Sequence, residues 1–287
     1  LGQFVLFGDV YPDVIVSSKP EAAYHRPEGG FGALTLDVLD QMDAAGMDFS
    51  RYDANRDGQL DHLFVILRGA ERRDQKRYAW TGASCLDGRC TATIAGGRRL
   101  QEPVYDGERV DWNTSGSYLL HRTPGNIAPF WYHIRLMAHE IGHDLWAPFF
   151  VHIRGNPGND VPLEHNRGGR RDCIGYVLMA GAGGARDCSG NVTISAYERD
   201  LLGWIQCDAL TGPARRIELG DLYTTSDCAI LPLSNSKRLY LSNLQHRNPF
   251  DVQRTSGARN QFEIGLRTSG LLVHLANGNR LDVIPAD

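Results

Sequence analysis

The chain has 287 residues, 42% of them hydrophobic, and a formal net charge of −4. That is enough apolar material for a sizeable core, in one large or two smaller domains. The near balance of charge leaves no electrostatic footprint for nucleic acid, and no apolar run reaches the length of a membrane span. Residues 1–30 read as irregular, with Pro12, Pro20 and Pro27 punctuating short strands. Residues 33–46 read as a helix, because Leu34, Leu36, Val38, Leu39 and Met42 recur at helical spacing. An acidic loop follows, then a buried strand at 62–68 and a turn-rich region with short strands over 77–125. A second helix is expected near 130–146. Pro129 suits its first turn, Ile134, Met137, Ala138, Ile141 and Leu145 form its apolar stripe, and Pro148 stops it. A long Gly-rich loop leads to a third helix at 193–204. From about 206 the pattern turns to strands, at Arg216–Leu219, Ala229–Leu233, Arg238–Leu241 and Leu271–Leu275. The expected fold class is α/β (α+β), with a mixed sheet in residues 1–205 and a smaller β-rich region in 206–287.

The second helix carries His139-Glu140-Ile141-Gly142-His143. Residues four apart on a helix share a face, so both imidazoles can reach one metal ion, and His-Glu-x-x-His at this spacing points to zinc. Glu140 sits about 100° around the axis from His139. From there its carboxylate can take a proton from a water activated by the metal, as general base.

A second metal signal is Asp53-Ala-Asn55-Arg-Asp57-Gly58-Gln59-Leu-Asp61. Oxygen side chains at alternate positions, with glycine at the sharp turn, match the first half of a calcium loop. Asp53, Asn55 and Asp57 would give side-chain oxygens, Gln59 a backbone carbonyl, and Asp61 a direct or water-mediated contact. Phe64 stands at the twelfth position, where a helix–loop–helix site would carry Glu, so the remaining ligands must come from elsewhere.

Six cysteines fall as three near pairs, Cys85 with Cys90, Cys173 with Cys188 and Cys207 with Cys228. Six allow fifteen connectivities. Sequential pairing is the expectation, since each pair closes a short loop containing Gly or Asp. A disulfide framework fits a secreted, oxidising location better than a zinc site, because no Cys-x-x-Cys occurs.

Together these segments resemble the immune inhibitor A family of secreted metallopeptidases. The resemblance lies in Asp48–Asp61 and the strand after it, Ala138-His-Glu-Ile-Gly-His-Asp-Leu145, Ile174-Gly-Tyr-Val-Leu-Met179, Ser195-Ala-Tyr-Glu-Arg199 and Leu202-Gly-Trp-Ile205. It implies a zincin-like catalytic domain, a methionine (Met179) as an apolar floor beneath the zinc ligands, and a closing helix at Ser195–Arg199. Members of that family continue past the second histidine with Gly and then Leu-Pro-Asp. Here Trp146, Ala147, Pro148 and Phe149 stand instead. Without Gly the chain does not readily take a left-handed turn, and Phe does not bind zinc. The third ligand must come from elsewhere, or the site is impaired: His152 is the nearest candidate, with Glu164, His165 and Glu198 as alternatives. Asp144 is a candidate to orient a ligand imidazole through its second nitrogen. Tyr176 and Tyr197 are candidate oxyanion donors or packed core; His133 and His274 read as structural.

The sequence therefore points to a secreted zinc-dependent endopeptidase that takes zinc and calcium, acts on protein or peptide substrates and is expected as a monomer. The alternative is a catalytically impaired zinc-binding module, or a calcium-dependent extracellular binding module.

Overall fold

The computed structural model describes residues 5–24, 30–68, 82–83, 104–110, 114–119, 130–146, 149, 153–154, 177–179, 194–213, 216–234, 236–245 and 269–284. The chain divides into two compact units, Leu1–Ile141 and Gly142–Asp287. It is a mixed α/β protein. The dividing point falls inside helix α2 (Phe130–Trp146), which runs on through it.

In the first unit, helix α1 (Gly30–Ala44) buries Leu39 and Met42 against Phe49, Leu60, Tyr105 and Val110. Its end is set by Gly46 at φ 81°: Met47 N–H reaches the Met42 carbonyl at 3.0 Å and Gly46 N–H the Asp43 carbonyl at 2.8 Å. This is the paired bonding that a left-handed glycine permits at a helix C-terminus. Strand β1 (Leu63–Arg68) runs parallel to β5 (Thr114–Leu119), which pairs antiparallel with β2 (Gly82–Ala83). Between β2 and β5, β3 (Val104–Tyr105) and β4 (Glu108–Arg109) make a tight hairpin. Asp106 and Gly107 both have positive φ at its turn, 52° and 91°, the geometry that two-residue hairpins favour. Phe49 and Tyr105 pack with ring centroids 5.1 Å apart, and Tyr105 donates to Asp40 at 2.6 Å, which ties the hairpin to α1.

The short strands expected before residue 30 do not form over residues 5–20. That segment is irregular, and it leaves Phe7, Val10, Val14 and Val16 exposed. Side chains hold it instead: Tyr11 and Ile15 pack on the α1 core, and Ser18 N–H donates to Asp37 at 2.8 Å.

The second unit contains α3 (Ala196–Leu201), the short α4 (Leu222–Thr225) and a five-stranded sheet. Its strands are β6 (Asp208–Ala209), β7 (Cys228–Pro232), β8 (Lys237–Leu244), β9 (Gly270–Asn277) and β10 (Arg280–Val283), in the order β10-β9-β8-β7-β6. All pairings are antiparallel except β6 with β7. Tyr240, Ser242 and Leu244 on β8 alternate inward with His274 and Ala276 on β9, as the two-residue period of a strand requires. Helix α3 meets this face through Tyr197, whose ring lies 5.4 Å from that of Tyr240, while Tyr240 donates to Asp200 at 2.7 Å. At one border, Arg154 N–H donates to the Asn279 carbonyl and Leu281 N–H to the Arg154 carbonyl, both at 2.9 Å.

Three of the four expected C-terminal strands are present: β7 is shifted one residue earlier, and β8 and β9 are longer than expected. The fourth, Arg216–Leu219, is not a strand. Its alternation has no neighbour to pair with: the Leu219 carbonyl accepts from the Asn243 side chain at 2.9 Å, and Arg216 faces Glu218 in an exposed ion pair. Such a surface pair holds nothing in place.

Cys207 and Cys228 form a disulfide across 21 residues, the third of the sequential pairs. Cys85, Cys90, Cys173 and Cys188 lie outside the described residues. A loop of that size constrains the unfolded chain by about 3 kcal/mol in the chain-entropy account. Replacing both Cys207 and Cys228 by Ala is therefore expected to lower unfolding stability by about 3 kcal/mol, read as a lower urea midpoint; an unchanged midpoint would refute it.

Candidate metal centre

Helix α2 covers the span read from the sequence, Phe130–Trp146, and places His139 and His143 one turn apart. Their relative exposures are 6% and 7%, so both residues are buried. Two imidazole nitrogens at this spacing suit a divalent transition metal. Asp144 is half-buried on the same helix. The side chains of His133 and Glu140, and residues His152, Glu164, His165 and Tyr176, lie outside the described residues.

One residue before His143, Gly142 lets another chain segment come close. A β-carbon there would collide with Sδ of Met179 and lie 3.2 Å from its Cε and from the Trp146 ring. Met179 is fully buried. Its thioether sits against α2 at Gly142.

The turn that carries Met179 is held by Glu198, which is completely buried. Its Oε1 accepts from Met179 N–H at 2.8 Å. Its Oε2 accepts from Leu178 N–H at 3.2 Å, Ser195 N–H at 2.7 Å and the Ser195 hydroxyl at 2.9 Å. Ser195 returns the favour by accepting from Glu198 N–H at 3.2 Å, closing a capping box at the start of α3. Four donors meet the roughly four lone-pair sites of a carboxylate. Glu198, the distant alternative for a third zinc ligand, is thus committed to the backbone. Burial pushes its carboxyl up to about 7, against the pull of those donors. Helix α3 then ends on Gly203, at φ 67°, with Trp204 N–H on the Arg199 carbonyl at 2.9 Å. Trp204 packs on Trp146 at 6.1 Å, and Trp146 Nε1–H donates to the Glu198 carbonyl at 3.0 Å.

Tyr197 does not offer a free oxyanion donor: its hydroxyl donates to the Gly278 carbonyl at 2.6 Å, and burial pushes its pKa up to about 12. His274 is fully buried within the sheet, as a core histidine.

In the first unit, residues 53–61 form a tight loop around their own carboxylates. Asp53 accepts from Asp57 N–H at 3.1 Å and Gly58 N–H at 2.9 Å, with Arg56 and Gly58 both at positive φ. Asn55 accepts from Asp57 N–H at 3.1 Å, Asp57 from Gln59 N–H at 2.9 Å, and Asp61 from Ala54 N–H at 2.9 Å. Burial works against the Asp53 charge, but the N–H groups of Gly58, Asp57 and Arg56 outweigh it and hold its carboxyl below the usual range.

The β3–β4 hairpin adds a residue that the sequence reading did not single out. Burial first, then the neighbouring Asp53 and the charges of Asp57 and Asp106, push the Glu108 carboxyl above the ordinary value. The Asp106-Gly107 dipeptide signals the hairpin, but nothing local places it beside residue 53. As placed, among the described residues no group of three or more His, Cys, Asp or Glu side chains could hold a metal ion.

No protein-family model matches the chain, and no curated protein or solved structure does either.

The folded chain holds the Glu198 proton more tightly than the unfolded chain does. Its share of stability is therefore complete below the ordinary value of 4.5 and is lost as pH rises towards about 7. Glu198→Gln sets an amide NH2 against backbone donors and is expected to cost about 1–3 kcal/mol. The deficit should narrow from pH 4.5 to 7, since the amide does not titrate. Melting curves that stay equally far apart across this range would contradict the assignment.

Proposed function

We propose that this chain is a secreted zinc-dependent endopeptidase with a zincin-like catalytic domain, akin to the immune inhibitor A metallopeptidases whose motifs it resembles. The observation that carries the reading is the pair of buried histidines, His139 and His143, one helical turn apart on α2. Zinc, when bound, supplies Lewis acidity towards the scissile carbonyl and makes a water more acidic. His139 and His143 hold it. Glu140 takes the proton from the attacking water and passes it to the leaving amine. His152 remains the first candidate for the third ligand; it precedes Ile153, whose N–H donates to the Met179 carbonyl at 2.8 Å. The Cys207–Cys228 disulfide supports a location outside the reducing cytosol. No described helix is long and apolar enough to cross a membrane.

The loop at 53–61 is proposed to take calcium through Asp53, Asn55, Asp57, the Gln59 carbonyl and Asp61. Glu108 supplies the carboxylate that Phe64 does not. The oxygen donors suit a hard cation, whose binding would replace part of the hydrogen bonding that now turns these carboxylates towards the loop's own N–H groups.

A second reading has one observation in its favour. Helix α2 continues through Trp146, whose side chain is fully buried, so no left-handed turn folds a ligand back at that point; Phe149 beyond it is 49% exposed. A zinc-binding protein without turnover would look the same here.

Glu140→Gln is expected to keep zinc and abolish hydrolysis of a casein-type substrate; substantial remaining turnover would refute the base assignment. Wild-type protein that binds one zinc yet cleaves nothing in a peptide-library digest would favour the second reading.

Calcium is expected to raise the melting temperature. Without it, the contribution of Glu108 is present below the ordinary Glu pKa and is lost as pH rises through its raised value. The calcium-induced shift should therefore grow with pH in that range and shrink in Glu108→Gln. Identical melting in calcium and in excess EDTA would count against the site.

A further inference from the structure

Three contacts in the Gly142–Asp287 unit converge on one buried residue outside the proposed ligand set. Helix α2 ends on Trp146, which donates to the backbone carbonyl of Glu198 at 3.0 Å. The turn at 177–179 is fastened by the Glu198 side chain, through Met179 N–H at 2.8 Å and Leu178 N–H at 3.2 Å. Met179 in turn presses its thioether on Gly142, where not even a methyl group would fit. Glu198 thus grips the end of α2 with its main chain and, through Met179, the middle of the same stretch with its side chain. Ser195 fixes the carboxylate from behind, with two donors at 2.7 and 2.9 Å.

A ligand imidazole binds well only if its ring is held near the productive geometry, and supporting groups outside the ligand set routinely decide metal affinity. We infer that Glu198 is a positioning residue for the metal-binding face of α2: it seats Met179 against Gly142 and so fixes the turn that carries His143, without touching the metal. The inference rests on the zinc reading above. A role in packing alone would cost stability and leave zinc affinity intact in the molecules that remain folded.

The test is zinc affinity of the full, metal-stripped chain, by competition with a chromophoric chelator, together with the visible absorption spectrum of the cobalt-substituted protein. Both are read at a temperature where circular dichroism shows each variant folded. Glu198→Gln is expected to weaken zinc binding roughly ten- to a hundredfold and to alter the cobalt spectrum, the usual size for loss of a supporting group. Glu198→Asp, which keeps a carboxylate, should recover part of the loss. If Glu198→Gln does not fold, Met179→Leu and Gly142→Ala carry the test, and both must weaken zinc and shift the cobalt spectrum. Folded variants that bind zinc as tightly as the wild type, with its cobalt spectrum, would overturn the inference and leave the zinc reading standing. Wild-type protein that binds no zinc would overturn both.

Discussion

A carboxylate with no access to water, Glu198, is the point on which the described part of the second unit depends. Moving such a group out of solvent is costly unless donors replace the water it loses. Here three backbone N–H groups and one hydroxyl do so, drawn from Leu178, Met179 and Ser195. The arrangement also works in reverse: those N–H groups would otherwise be buried polar atoms in a short turn and at a helix start, where no regular ladder serves them. One side chain therefore meets the hydrogen-bonding needs of two segments that the chain separates by sixteen residues or more. Its own carbonyl receives Trp146, so the tryptophan nitrogen is satisfied while the indole fills the space between α2 and Trp204.

Asp53 shows how differently the same chemical group behaves in the first unit. Its donors come from its own loop, within five residues, and they lower its pKa, whereas burial dominates at Glu198. The difference is one of solvent and distance. A local loop can wrap N–H groups closely around a carboxylate and keep it charged; a fully buried carboxylate joining distant segments sits where the medium resists charge. The crowding of Glu108 by Asp53, Asp57 and Asp106 leaves a concentration of negative charge that a cation would relieve.

Helix α2 was legible to the residue because its signals are local: a proline before the first turn, an apolar stripe through Leu145 and a proline two residues after its end. The strand at 63–68 and three C-terminal strands could be read for the same reason. Arg216–Leu219 could not, since alternation states which residues suit a strand and not whether a partner is at hand. The short strands expected within 5–20 failed likewise. In the site, the histidine spacing was plain; Glu198 was read only as a distant candidate ligand, although Ser195-x-x-Glu198 carries a capping-box pattern. Its reach to Leu178 and Met179 has no local signature. Neither has the approach of Glu108 to residue 53, nor the collision that makes Gly142 a packing requirement.

The borders of the five-stranded sheet bear on how the protein behaves at high concentration. A long, bare β-strand invites another chain to add on, and repeated addition leads to fibres. On one side β6 offers only two residues, Asp208 and Ala209. On the other, the β10 backbone is partly occupied by Arg154, which takes the hydrogen bonds at Asn279 and Leu281 that an incoming strand would need. A side chain that stays charged throughout the physiological pH range stands at the same spot. Self-templated growth from this sheet is thereby discouraged at both margins by short length, prior pairing and charge.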